Sequence, residues 1–183
     1  MKNSVRMVVV LVAVGLVSGS VLVCVYNYAS PIIKDNEEKA LKEAIFRVLP
    51  EAETYQEITI EGVTVYKCLD RDGDNIGYAF TASGNGYQGK IELMAALDKD
   101  LRRMGGIEIL ESSETPGLGS EIGEPFFKAQ FRGLSVMPRI TFTKGPLSED
   151  NQIQAITGAT ISTRAVVEIL NRKIEKVRKA LGR

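Results

Sequence analysis

The chain has no histidine and no tryptophan among its 183 residues. Without imidazole there can be no Ser-His-Asp triad, and the commonest general base and metal ligand are missing. Cysteine is nearly as scarce, with only Cys24 and Cys68. They lie in very different contexts, so no disulfide between them is expected. Two lone cysteines make neither a zinc site nor an iron–sulfur site. A redox role on this chain would need an organic cofactor. Charge of one sign is also lacking: 23 Lys plus Arg stand against 23 Asp plus Glu, so nothing points to nucleic acid as a partner.

What the chain does have is one long uncharged run. Met7 to Val25 reads "MVVVLVAVGLVSGSVLVCV". At about 1.5 Å per residue, some 20 residues span a bilayer core of roughly 30 Å. A cleavable signal would have a shorter apolar region, about 7–15 residues, followed by a small-residue cleavage site. The run predicts an uncleaved transmembrane anchor over 7–28. Lys2 and Arg6 precede it, and no further Lys or Arg occurs before Lys34. The positive-inside bias then puts 1–6 in the cytoplasm and the rest outside, in a single-pass protein of the cytoplasmic (inner) membrane. Cys24 reads as an ordinary apolar residue of that helix, because the preceding "VLV" lacks the small residue of a lipoprotein site.

In 29–50, Ala40, Leu41, Ala44, Ile45, Val48 and Leu49 recur at helical spacing and Pro50 stops the run, which predicts an amphipathic linker helix. From 51 to 183 the pattern predicts one α+β domain, an antiparallel sheet flanked by helices. "EITIEGVTVYKCLD" reads as a strand, and "IGYAFTASG", "GKIELMAALDKD", "GGIEILESSE" and "RITFTKG" as further strands joined by short turns. "GEPFFKAQFRGL" suggests a short helix with Phe126, Phe127 and Phe131 packing inward. Val166, Leu170, Ile174, Val177 and Leu181 draw one apolar stripe along a C-terminal helix.

Four stretches are candidates for chemistry. Asp70, Asp72 and Asp74 alternate as in a calcium loop, but the glycine and the closing glutamate of an EF-hand do not fall into place, so a polar hairpin turn is expected. "GNGYQGK" (84–90) is either a flexible hairpin loop or a loop passing close to a flat ligand, with Tyr87 beside it. In "SETPGLGSE" (113–121), Pro116 and Gly117 suit a type II turn, which leaves Glu114 and Thr115 at a strand end unexplained. "TGATIST" (157–163) opens the C-terminal helix. Ser162 or Thr163 could cap it, but capping needs one hydroxyl and four are present. A helix start also offers free N–H groups and positive potential to a phosphate, and Gly158 and Ala159 keep the approach open.

"GYQGKI" at 86–91, "ETPGLG" at 114–119 and "TGAT" at 157–160, in that order and behind a single N-terminal membrane helix, resemble the FMN-binding domain family. That family occurs in the Rnf and sodium-pumping NADH:quinone oxidoreductase complexes. The chain's length suits the G-type branch of the Rnf complex rather than the longer C-type branch of the quinone reductase. The resemblance implies FMN joined by its phosphate to the last threonine of the motif, here Thr160, with Thr157, Gly158, Ala159 and Ser162 around it. Glu114, Thr115, Gly117, Leu118 and Gly119 become candidate contacts to the isoalloxazine, with Tyr87 a weaker one. It further implies a separate flavin transferase using FAD and a metal ion, since a threonine without a histidine neighbour is a weak nucleophile. The partners implied are the other subunits of a membrane redox complex, including a second flavin-bearing membrane subunit, and the chain is not catalytic alone. Gln154 stands where the family usually carries Asp, and Ser112 and Ser113 where many members carry His. The reading to be set beside this one is a membrane-anchored sensor or scaffold domain that binds a ligand such as flavin without turnover, in which "TGAT" is a plain helix cap.

Overall fold

The computed structural model describes residues 2–182. Met1 and Arg183, at the two ends of the expected segments, lie outside the described residues, as do the side chains of Lys2, Asn3, Ser4 and Lys34. The chain divides into two compact units, Met1–Lys42 and Glu43–Arg183.

Helix α1, Lys2–Val48, runs unbroken through Pro31. The expected anchor and linker helix are therefore one element. Proline removes one backbone bond, and the helix continues on either side of it. The most apolar 18-residue window of α1 has a mean hydropathy of 2.8 and none of it is buried, so α1 is long and apolar enough to cross a membrane.

The second unit is built on a five-stranded antiparallel sheet in the order β1-β2-β3-β4-β5: Thr54–Ile60, Val63–Leu69, Asn75–Asn85, Lys90–Asp98 and Met104–Ser112. The stretch "EITIEGVTVYKCLD" is two strands rather than one. It reverses at Glu61 and Gly62, both at positive φ (50° and 76°), the conformation of a two-residue hairpin loop. The aspartate stretch is the β2–β3 turn. Asp70 Oδ1 accepts the N–H groups of Asp72 at 3.0 Å and Asp74 at 2.8 Å.

After β5 come a 3-10 turn (Gly119–Gly123), the short helix α2 (Pro125–Ala129), strands β6 (Thr141–Thr143) and β7 (Gln152–Gln154), and the long helix α3 (Thr160–Ala180). β6 and β7 pair parallel as a separate two-stranded sheet. This departs from the antiparallel pairing expected of "RITFTKG", because its partner comes from farther along the chain rather than from a hairpin.

The α3 stripe packs as the spacing predicts: Val166, Leu170, Ile174 and Val177 are buried and Leu181 is partly so. It lies in one core with Phe80, Leu93, Ala95, Leu97 and Ile107 of the sheet and with Phe127 and Phe131. Phe126 corrects the sequence reading, since it is 56% exposed. Adjacent positions on an α-helix point about 100° apart, so when Phe127 faces the core Phe126 turns away from it. The opposite sheet face is closed by the last turn of α1, where Ala44, Ile45 and Val48 are buried. Glycine makes this approach possible: a Cβ on Gly105 would lie 2.8 Å from the Val48 carbonyl oxygen. Strand β4, next to the edge strand β5, is thus covered on both faces, and the loops at one end of the sheet are left to meet the start of α3.

Candidate functional site

Three loops converge on the N-terminus of α3. The first is the β3–β4 hairpin loop, closed by the Gly86 N–H donating to the Gly89 carbonyl at 2.7 Å. Tyr87 and Gln88 form its tip, and Tyr87 is 68% exposed.

The second loop leaves β5. Thr115, Pro116, Gly117 and Leu118 make a turn closed by Leu118 N–H to the Thr115 carbonyl at 3.2 Å. Gly117 takes φ 71° at the third position, as the Pro-Gly pair predicts. Ser120 Oγ accepts the Gly117 N–H at 3.0 Å and stiffens the turn.

The third is the turn before α3. The Ala159 N–H donates to the Ile156 carbonyl at 3.0 Å, with Gly158 at φ 84° between them. Ala159 is the N-cap and supplies no side-chain cap. Thr160 is the first helical residue and is half-buried; Thr157 and Gly158 are exposed. The first helical bond runs from the Thr163 N–H to the Ala159 carbonyl at 3.0 Å, so the N–H groups of Thr160, Ile161 and Ser162 precede the helical ladder.

Neither hydroxyl expected to cap α3 does so. The Thr163 hydroxyl accepts the Ile156 N–H at 3.2 Å and donates to the Ala159 carbonyl at 3.1 Å, which ties the preceding turn to the helix. Ser162 is buried, and its hydroxyl donates to Glu114 Oε2 at 2.5 Å. Two of the four hydroxyls are therefore committed to internal bonds.

Glu114 joins the three loops. It is only 6% exposed. Its Oε1 accepts the Gln88 N–H at 3.0 Å, and Oε2 accepts the Ser162 hydroxyl. Burial pushes its carboxyl up, but the bonds from Ser162 and from the Gln88, Tyr87 and Gly89 amides outweigh it and hold the group below the usual carboxylate range. Two glycines make room for it. A Cβ on Gly86 would run into Oε1, and one on Gly119 would run into Oε2 and lie 2.7 Å from Ser162 Oγ. Thr115 Oγ1 donates to Gln88 Oε1 at 2.5 Å and stitches the first two loops together at the surface. Leu118, 49% exposed, reaches across to the third loop, 3.3 Å from where a Gly158 Cβ would sit.

The sequence-predicted residues thus fall in one place, from Glu114, Thr115, Gly117, Leu118 and Gly119 to Thr157, Gly158, Ala159, Thr160 and Ser162, with Tyr87 at the exposed tip of the first loop. Sequence reasoning missed Gln88 and Gly86. The crowding of glycines in "GNGYQGK" carried a signal for Gly86; nothing local marks Gln88, whose role appears only when Glu114 arrives from another strand. Gln154 lies in β7 with its backbone bracketed by Gln130: its N–H donates to Gln130 Oε1 at 2.7 Å and its carbonyl accepts Gln130 Nε2 at 3.3 Å. Ser112 and Ser113 are exposed.

Comparison with known proteins agrees with this geometry. The FMN-binding domain model matches residues 86–175, from the first loop into α3. The G subunit of the ion-translocating oxidoreductase complex of Methanosarcina acetivorans is 31% identical over 184 residues, covering 96% of this chain and 95% of that one. The G subunit of the proton-translocating ferredoxin:NAD(+) oxidoreductase complex of Clostridium ljungdahlii is 27% identical, covering 88% and 84%. Among solved structures, the C subunit of the Na(+)-translocating NADH-quinone reductase of Parabacteroides distasonis aligns with a TM-score of 0.55 at 27% identity, over 65% of this chain and 61% of that one. With a relative matched along nearly its whole length, and with the three loops of the matched region built around one buried glutamate, the chain belongs to the FMN-binding domain family.

Proposed function

We propose that this chain is a membrane-anchored electron-transfer subunit of an ion-translocating oxidoreductase complex of the Rnf type, which couples ferredoxin and NAD, and that it carries FMN on Thr160. One observation supports the reading above the rest: Thr160 begins α3 where three loops meet, beside uncapped first-turn N–H groups. Such a helix start favours a phosphate through its free donors and its dipole. Gly158 adds no Cβ there, and the exposed Leu118, Ile161 and Tyr87 offer apolar surface to a ring system. The residues present fit the flavin's two ends.

The linkage is a phosphoester. Thr160 Oγ bonds to the FMN phosphorus of FAD, the pyrophosphate bond breaks, AMP leaves, and the hydroxyl proton passes to a base on the transferase. The donor and the enzyme are external because the chain has no histidine to activate the hydroxyl. When bound, FMN supplies redox chemistry that no side chain here can supply. The chain's part is to hold the phosphate end at Thr160 and to keep the carrier from diffusing away.

Helix α1 fits a single-pass anchor, with the second unit on the extracytoplasmic side. The partners are the other subunits of the complex, including a second flavin-bearing membrane subunit, and a flavin transferase for maturation. The test is flavin fluorescence on the denatured protein, produced with a transferase, for wild type and Thr160→Val. Wild type retains fluorescence and the variant has none; fluorescence retained by the variant contradicts Thr160 as the acceptor.

A further inference from the structure

We infer that Glu114 is a positioning residue, which clamps the Gly86–Gly89 loop against the first turn of α3 so that a flavin on Thr160 is held rather than left to swing on its tether. The inference rests on the reading that Thr160 carries the flavin.

Glu114 is almost shut off from solvent, at 6% exposed, so its carboxylate is free to serve only the groups packed around it. Its two oxygens divide their work. Oε1 takes the Gln88 amide of the hairpin loop, and Oε2 takes Ser162, two residues beyond Thr160. The backbone is cleared for this clamp on both sides, since a Cβ on Gly86 or on Gly119 would displace the carboxylate. An ionised carboxylate accepting several donors makes shorter and stronger bonds than a neutral group would. Ser162 in turn fixes the rotation of the first helical turn, and with it the direction in which Thr160 Oγ points. The contact of Leu118 on Gly158 lies at the surface and joins a different pair of loops, so it does not replace this bond.

A clamp and a plain stabilising contact make different predictions. A stabilising contact changes how much protein is folded; a clamp changes the mobility of the flavin in protein that is fully folded. The experiment is the time-resolved fluorescence anisotropy of flavin attached in cells making a transferase. It is run on the full chain in detergent, for wild type, Ser162→Ala, Glu114→Gln and the double variant, at a temperature where far-ultraviolet circular dichroism shows each fully folded. Wild type decays with the tumbling of the whole particle. Ser162→Ala gains a fast component from local flavin motion, and the double variant gains no more than the larger of the two single changes, because both remove the same link. A Ser162→Ala decay identical to wild type overturns the clamp, and so do fully additive effects of the two changes. Absence of covalent flavin from the wild type is a separate failure: it overturns the reading of Thr160 and the clamp with it.

Discussion

Ser162 Oγ lies 2.5 Å from Glu114 Oε2, a buried bond between residues 48 positions apart. It joins the start of α3 to the end of β5, and Gly119 packs directly against both partners. A methyl group at position 119 has nowhere to go, because its nearest neighbours are the bonded carboxylate and the hydroxyl rather than the free end of a flexible chain. Gly119→Ala is expected to cost about 1–3 kcal/mol, the usual penalty for overpacking. It is also expected to reduce flavin loading. Thermal or urea unfolding and the flavin-to-protein ratio measure the two effects.

The same bond gives stability a pH dependence of known sign. The folded Glu114 carboxyl titrates below its ordinary range, despite burial, because Ser162 and the loop amides favour the anion. A group depressed in the folded state stabilises the fold above its unfolded pKa, about 4.3 for glutamate, and loses that contribution as pH falls through the folded pKa. The melting-temperature gap between wild type and Glu114→Gln is therefore expected to be full near neutrality and to narrow in the acid range. A gap that stays constant down to about pH 3, below that unfolded value, contradicts this.

Adjacent phenylalanines should behave as opposites. Phe131 and Phe127 are fully buried in the core around α3, and Phe126 is 56% exposed. Phe127→Ala or Phe131→Ala is expected to cost about 3–5 kcal/mol through lost burial and the cavity left behind. Phe126→Ala should stay within about 0.5 kcal/mol. Equilibrium unfolding of the three variants decides it.

Cys68 is buried, and burial pushes its thiol up to about 11. The thiolate is the reactive form, so near neutral pH almost none is available. Cys68 is expected to resist alkylation in the native protein and to react on unfolding. Mass spectrometry after a timed maleimide pulse, with and without denaturant, reads both states.

The parts of this fold that follow a short-range period were legible in the sequence. The α3 stripe is one, since every fourth or third position is apolar and the helix has only to lay that face on the sheet. Other parts answer to forces with no local mark. The β1–β2 hairpin turns at Glu61, and a glutamate at positive φ is not a residue that announces a turn. The sequence reading sets 7–28 apart from 29–50, yet α1 runs through both and through Pro31. At the site, the motifs mark Glu114, Thr115 and the 157–162 turn, and the fold brings these stretches together. The division of labour among them is hidden from the sequence, because it is made by long-range bonds: Ser162 reads as a residue free to cap a helix and is instead bound to a carboxylate from another strand end.

The most direct test of the account is the intact mass of the denatured protein, purified from membranes of cells that also make a flavin transferase, followed by mapping of the modified peptide. The account predicts a gain of FMN less one water, placed on Thr160. An unmodified mass, or the same gain placed on Thr157 or another residue, contradicts it; an unmodified mass would favour a membrane-anchored scaffold in which the turn at 157–160 does no more than begin a helix.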